Sequence, residues 1–87
     1  FKIILQATPP GIELDKLSAR IEKIEGVKDA HHLHVWTLDG EFNIMTIHIH
    51  TRSGQSEQSI EELKRSVRRI AQGEGVNHVT IELEFFH

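Results

Sequence analysis

Cysteine is missing from this 87-residue sequence, so disulfide staples, thiolate zinc sites and a Cys-x-x-Cys metal carrier are all excluded. The lack is compatible with a reducing compartment. No run approaches the ~18 apolar residues of a membrane span. Basic residues are in deficit: ten Lys and Arg against thirteen Asp and Glu give a net charge of −3, which argues against a general nucleic-acid binder. There is no glycine-rich phosphate loop, no Ser or Cys nucleophile beside a recognisable base, and no aromatic RNP-type strand. Neither a catalytic assembly nor an RNA-binding module is indicated. An initiator Met is also lacking, and the abrupt start at Phe1 is what a piece of a longer protein would show.

What is present makes one small globular domain with a thin core, a size at which a metal or a partner subunit commonly adds stability. Leu14, Leu17, Ile21 and Ile24 recur at intervals of three and four, the apolar face of an amphipathic helix that Gly26 is placed to stop. Ile60, Leu63, Val67 and Ile70 repeat that spacing in a second helix. Its start falls between Ser53 and Ser59, with Ser59 and Glu62 spaced as a capping box, and its end lies near Gly73 and Gly75. Lys64, Arg65, Arg68 and Arg69 on this helix read as a solvated face. Strands are predicted over 33–38 and 42–51, joined by the turn pair Asp39-Gly40, and over 79–85, where Val79, Ile81, Leu83 and Phe85 alternate with polar residues. Glu-Gly-Val occurs at 25–27 and again at 74–76, each time between a helix and a strand. The order predicts an α+β, ferredoxin-like open-faced sandwich of αββαβ type. Residues 2–7 read either as a further N-terminal edge strand or as the tail of an upstream helix. Thr8-Pro9-Pro10-Gly11 reads as a linker, which divides the chain into residues 1–10 and a domain over 11–87.

Strand alternation sorts the side chains by face. Val35, Ile47, Ile49, Ile81 and Leu83 fall on the side that two helices would cover. His34, Trp36, Thr46, His48, His50, Glu82 and Glu84 fall on the other, which stays open. Three of the seven histidines crowd into His31-His32-Leu33-His34, and Ile47-His48-Ile49-His50 adds two more. Neutral imidazole is the commonest metal ligand, and histidines with carboxylates suit Zn²⁺ or a similar divalent ion. His31, His48, Glu82 and Glu84 are the expected ligands. His34 reads better as an aromatic partner of Trp36, with His50 and His78 as further ligand candidates. His87 is a polar terminal residue. The open face, bearing Trp36 and Phe42, is a candidate dimer interface with metal at its edge.

The run His31-His32-Leu33-His34-Val35-Trp36-Thr37-Leu38 resembles the signature of the cytoplasmic C-terminal domain of cation diffusion facilitators, the zinc/proton antiporters, whose common form is His-Asp-Leu-His-Val-Trp. The resemblance continues through Pro-Pro-Gly-Ile-Glu-Leu, Met-Thr-Ile-His-Ile and His-Val-Thr-Ile-Glu-Leu-Glu, covering about Leu5 to Phe85. It implies a cytosolic metal-binding regulatory domain following six membrane helices, and a homodimer with two arms in a V. It places His31, His48, Glu82 and Glu84 at ligand positions. His32 stands where Asp is usual, turning an oxygen donor into a nitrogen one. The histidine that two-metal members carry early in the second helix is absent between Ser53 and Leu63, so one metal per protomer is expected. The domain would sense Zn²⁺ (Cd²⁺ and Co²⁺ being related cargo) and bias a dimeric exporter. The alternative is a free-standing, ACT-like small-ligand sensor without metal dependence.

Overall fold

The computed structural model describes residues 5–7 and 11–86. Six elements follow in order: β1 (Leu5–Ala7), α1 (Leu14–Glu22), β2 (Val27–Leu38), β3 (Phe42–Arg52), α2 (Glu57–Gly73) and β4 (His78–Phe86). Their spatial order in the sheet is β1-β2-β3-β4. β2 and β3 form the antiparallel hairpin expected around Asp39-Gly40, both of which adopt left-handed backbone (φ 52° and 76°). That is the conformation Asp-Gly tolerates and most pairs do not. β3 and β4 run parallel, as a crossover through a helix requires. β1 pairs antiparallel with Trp36–Leu38 of β2, so the extra edge strand is present at Leu5–Ala7. Residues 1–4 and 8–10, on which the expected Pro-Pro linker falls, lie outside the described residues, as does His87.

Both helices bury the stripe that their spacing predicted. Leu17 and Ile21 of α1 and Leu63, Val67 and Ala71 of α2 meet Val35, Met45, Ile47 and Ile49 of the sheet, all 3% exposed or less. Ile81 and Leu83 pack partly buried against this core. Most polar members of the same strands, His48, His50, Glu82 and Glu84 among them, are left on the uncovered face, whereas Thr37 and Thr51 are buried. Thr51, fully buried, donates through Oγ1 to the Gly26 carbonyl at 2.7 Å and ties the end of β3 to the turn that opens β2.

Beyond one-residue extensions of β3 and β4, three boundaries differ from the sequence reading. α1 ends at Glu22 with Lys23 as its C-cap, so Ile24 belongs to the exit turn, and Gly26 (φ 96°) supplies the left-handed residue that launches β2. α2 is capped by Ser56, whose side chain accepts from the Ser59 amide at 3.1 Å; Ser59 is inside the first turn and forms no box with Glu62. The extended backbone of Ser56 (ψ 158°) decides this, because only a residue outside the helix can fold its oxygen back over the free amides. β2 begins at Val27, not Leu33, which brings six more residues into the sheet, among them Asp29 and His31.

Candidate metal centre

Register brings the polar residues of three strands together. Asp29 lies opposite His50 and His31 opposite His48 across β2 and β3. On the other side His48 pairs with Glu82 and His50 with Glu84 across β3 and β4. The result is two adjacent rows on the open face, Asp29–His50–Glu84 and His31–His48–Glu82. Side chains two residues apart on a strand share a face, so all six converge.

His31 reaches this face through a β-bulge. In a regular strand His31 and His34 would point to opposite sides, yet both project from the open one. The register slips between them, and His32 takes left-handed backbone at φ 52°. One extra residue on β2 restores the parity that the histidine run alone would break. The His32 ring lies 4.8 Å from that of His31 and 5.0 Å from that of His48, centroid to centroid. His34 stacks on Trp36 with centroids 5.5 Å apart, the aromatic pairing expected of it. His78, exposed at the start of β4 opposite Ile44, lies outside these rows.

Each of the three rings in these rows, His31, His48 and His50, faces carboxylate through both nitrogens. His31 has Asp29 at Nδ1 (3.0 Å) and Glu84 at Nε2 (2.9 Å). His48 has Glu84 at Nδ1 and Glu82 at Nε2, each 2.9 Å away. His50 has Asp29 at Nδ1 (3.0 Å) and Glu84 at Nε2 (3.1 Å). Of the four ligands expected from sequence, His31, His48 and Glu84 have ligand atoms within 4.8 Å of one another. Glu82 touches only the outer nitrogen of His48 and its side chain is 66% exposed. A second triad of the same compactness, Asp29–His31–His50, includes Asp29, which the sequence reading did not single out. The available signal is its two-residue offset from His31, which a strand starting at Leu33 hides.

The electrostatics follow from those contacts. Hydrogen bonds from His50, then His31, hold the Asp29 carboxyl below the usual carboxylate range, and those from His48 and His50 do the same for Glu84 against partial desolvation. The bond to Asp29 raises His50 above the ordinary imidazole value. A raised imidazole stabilises the fold below its unfolded pKa, and that contribution is lost as pH rises through the folded value. A depressed carboxylate stabilises above its unfolded pKa and loses this as pH falls through the folded value. Both contributions are therefore complete from about pH 4.5 to 6.5. The thermal midpoint of the metal-free chain is expected to be highest in that window and to decline on either side. His50→Ala should flatten the alkaline decline; an unaltered slope would show that His50 does not carry it.

An open-faced α+β sandwich with an imidazole–carboxylate cluster on its bare sheet is one recognisable class of small domain. The chain belongs to the family described as the cytoplasmic domain of cation efflux proteins (ZT_dimer), whose model matches residues 9–86. It is 36% identical over 84 residues to zinc homeostasis factor 1 of Schizosaccharomyces pombe, covering 95% of this chain and 22% of that protein. It is 32% identical over 83 residues to the proton-coupled zinc antiporter SLC30A1 of Homo sapiens, covering 95% and 16%. A cadmium, cobalt and zinc/H(+)-K(+) antiporter of Bacillus subtilis is 27% identical over 82 residues, covering 94% and 26%. The chain thus spans a quarter or less of the length of most of these relatives. Among solved structures, the copper form of MamM CTD superposes with a TM-score of 0.70 at 15% identity, covering 84% of this chain and 81% of that one, which establishes a shared fold. The family is one of transporter domains, and the chain is not an enzyme. No helix among the described residues is long and apolar enough to cross a membrane.

Proposed function

We propose that this chain is the regulatory and dimerisation domain of a divalent-cation efflux transporter, and that His31, His48 and Glu84, assisted by Glu82, bind Zn²⁺ or a similar ion. One observation carries the reading. Three imidazoles, those of His31, His48 and His50, make six contacts with three carboxylates, and both nitrogens of each face an acceptor. A neutral imidazole has one N–H to donate, so three of those contacts oppose a lone pair to a carboxylate oxygen. The arrangement is short of positive charge. A divalent cation ligated by the neutral rings would supply it.

The donor set fits such an ion. Nitrogen and carboxylate oxygen suit Zn²⁺ and its first-row neighbours. Ligand atoms around a four-coordinate Zn²⁺ stand roughly 3.3 Å apart, close to the 2.9 Å separating Glu84 from His31 and His48. Their side chains are 32–37% exposed, open enough for entry from solvent. The bound ion would supply fixed positive charge at the edge of the uncovered face. On that face the His34–Trp36 stack and Phe42, 46% exposed, offer apolar surface for a second copy. Ligands beside such a seam hold the ion best when the two arms approach, so binding would select a closer arrangement from an existing ensemble. Family membership and the likeness to zinc antiporters support this reading over a free-standing ACT-like sensor.

The test has two arms. Calorimetric titration of His48→Ala with Zn²⁺ is expected to lose the tightest phase of the parent chain, and an unchanged affinity would move the site elsewhere. Spin labels at Gln72, exposed near the end of α2, report the distance between arms of the dimer. That distribution is expected to shorten and narrow on Zn²⁺ addition in the parent and to stay fixed in His48→Ala. A hundredfold preference for the closed state would correspond to about 2.7 kcal/mol. Confirmed binding with unchanged distances would make the site structural and defeat the sensing role.

A further inference from the structure

We propose that Asp29, His31 and His50 form a second divalent-cation seat, and that it shares the His31 ring with the first, so that a chain fills one or the other but not both. The inference rests on the reading above only for the shared ring; the seat itself stands on its own side chains.

Geometry is the first support. Asp29 presents a different oxygen to each histidine, Oδ1 to His31 Nδ1 and Oδ2 to His50 Nδ1, both at 3.0 Å. The three ligand atoms lie within 4.8 Å of one another, as compact as the triad on the Glu84 side. Two imidazole nitrogens and a carboxylate oxygen make the same borderline donor set and call for the same class of cation. Construction is the second support. Asp29 and His50 are direct cross-strand partners, and His31 follows Asp29 by two residues on the same face. The backbone, not a mobile loop, sets the spacing. All three side chains are 32–42% exposed, so the seat opens to solvent.

The sharing follows from the chemistry of imidazole. His31 turns Nδ1 toward Asp29 and Nε2 toward Glu84. A neutral ring has one lone pair and one N–H, and the tautomer decides which nitrogen holds which. With the lone pair on Nε2, His31 ligates in the first seat and its Nδ1–H donates to Asp29. Asp29 then acts as the outer carboxylate that orients a ligating histidine. With the lone pair on Nδ1, His31 ligates beside Asp29 and His50, and its Nε2–H donates to Glu84. Each seat supplies the outer hydrogen bond that the other needs, and a tautomer exchange converts one into the other. Glu84 spans both, since Oε1 faces His31 and His48 while Oε2 faces His50.

The experiment titrates the 87-residue chain with Co²⁺, read by its visible absorption, and records the ring ¹⁵N signals of His31 with Zn²⁺. The parent is expected to bind one ion. His48→Ala is expected to retain one ion with His31 coordinated through Nδ1, His50→Ala to retain one with coordination through Nε2, and the double variant to bind none. Circular dichroism verifies folding, and His50→Asn replaces His50→Ala if the smaller residue disturbs β3. Loss of binding in His48→Ala with retention in His50→Ala would remove the second seat and leave the first intact. The reverse pattern would keep the second seat and overturn the first. Two ions per parent chain at saturation would overturn the exclusivity.

Discussion

Replacing Glu84 with alanine is expected to weaken Zn²⁺ binding more than replacing either other acidic residue of the cluster, by about 100-fold or ~2.7 kcal/mol. Its carboxylate contacts His31, His48 and His50 at 2.9–3.1 Å, whereas each other acidic residue of the cluster reaches at most two rings. The substitution removes a ligand and the negative charge that offsets the ion, while the three rings remain. Glu82→Ala is the matched comparison. Glu82 contacts only His48 and is the most exposed of the acids, so its loss should cost far less. Calorimetry on both variants decides the matter: equal losses would mean that Glu84 does not organise the site. Glu84→Gln keeps the shape without the charge, and should fall between the parent and Glu84→Ala.

The largest effect on stability is expected from Ile49→Ala. Ile49 lies between His48 and His50 on β3 but points to the opposite face, where it is fully buried beneath the helices. Truncating a buried isoleucine costs about 2–5 kcal/mol through lost burial and the cavity left behind. For a chain of this length, total stability is on the order of 4–13 kcal/mol, so the variant would sit near the threshold of folding. Urea unfolding of the metal-free chain measures the loss. A cost below about 1 kcal/mol would contradict the packing around β3. Because the ligands project from the other face, Zn²⁺ should recover part of the loss, about 2.7 kcal/mol at a hundred times the dissociation constant. The absence of any rescue would mean that the Ile49 face and the ligand face are coupled more tightly than the fold implies.

Ile49 and Glu84 lie on opposite faces of the sheet, and that division is already written in the sequence. Leu17, Ile21, Leu63 and Val67 disclosed both helices, because an apolar period of three and four has one simple meaning for a chain that must bury a stripe. Asp39-Gly40 disclosed the hairpin through the left-handed backbone that this pair accepts. Alternation assigned Val35, Ile47 and Ile49 to the core and His48, Glu82 and Glu84 to the open face, since a strand has only two sides. Such features depend on local geometry, and a few neighbouring residues contain all the information they require.

Asp29, His31 and His32 belong to the other kind. No local pattern shows that β2 runs back to Val27, because Lys28, Asp29 and His31-His32 have none of the apolar alternation that marks a strand; pairing with β3 creates it. Parity alone would set His31 and His34 on opposite faces, and only the bulge at His32, held by that same pairing, brings His31 beside His48. The sequence by itself determined which side of each strand faces the core, and it marked His31, His48, Glu82 and Glu84, but not Asp29, as candidate ligands. The tertiary structure decided which of them meet, because register between strands is a long-range quantity. The contacts of Glu84 with His31, 53 positions away in the chain, exist only once β2, β3 and β4 are aligned.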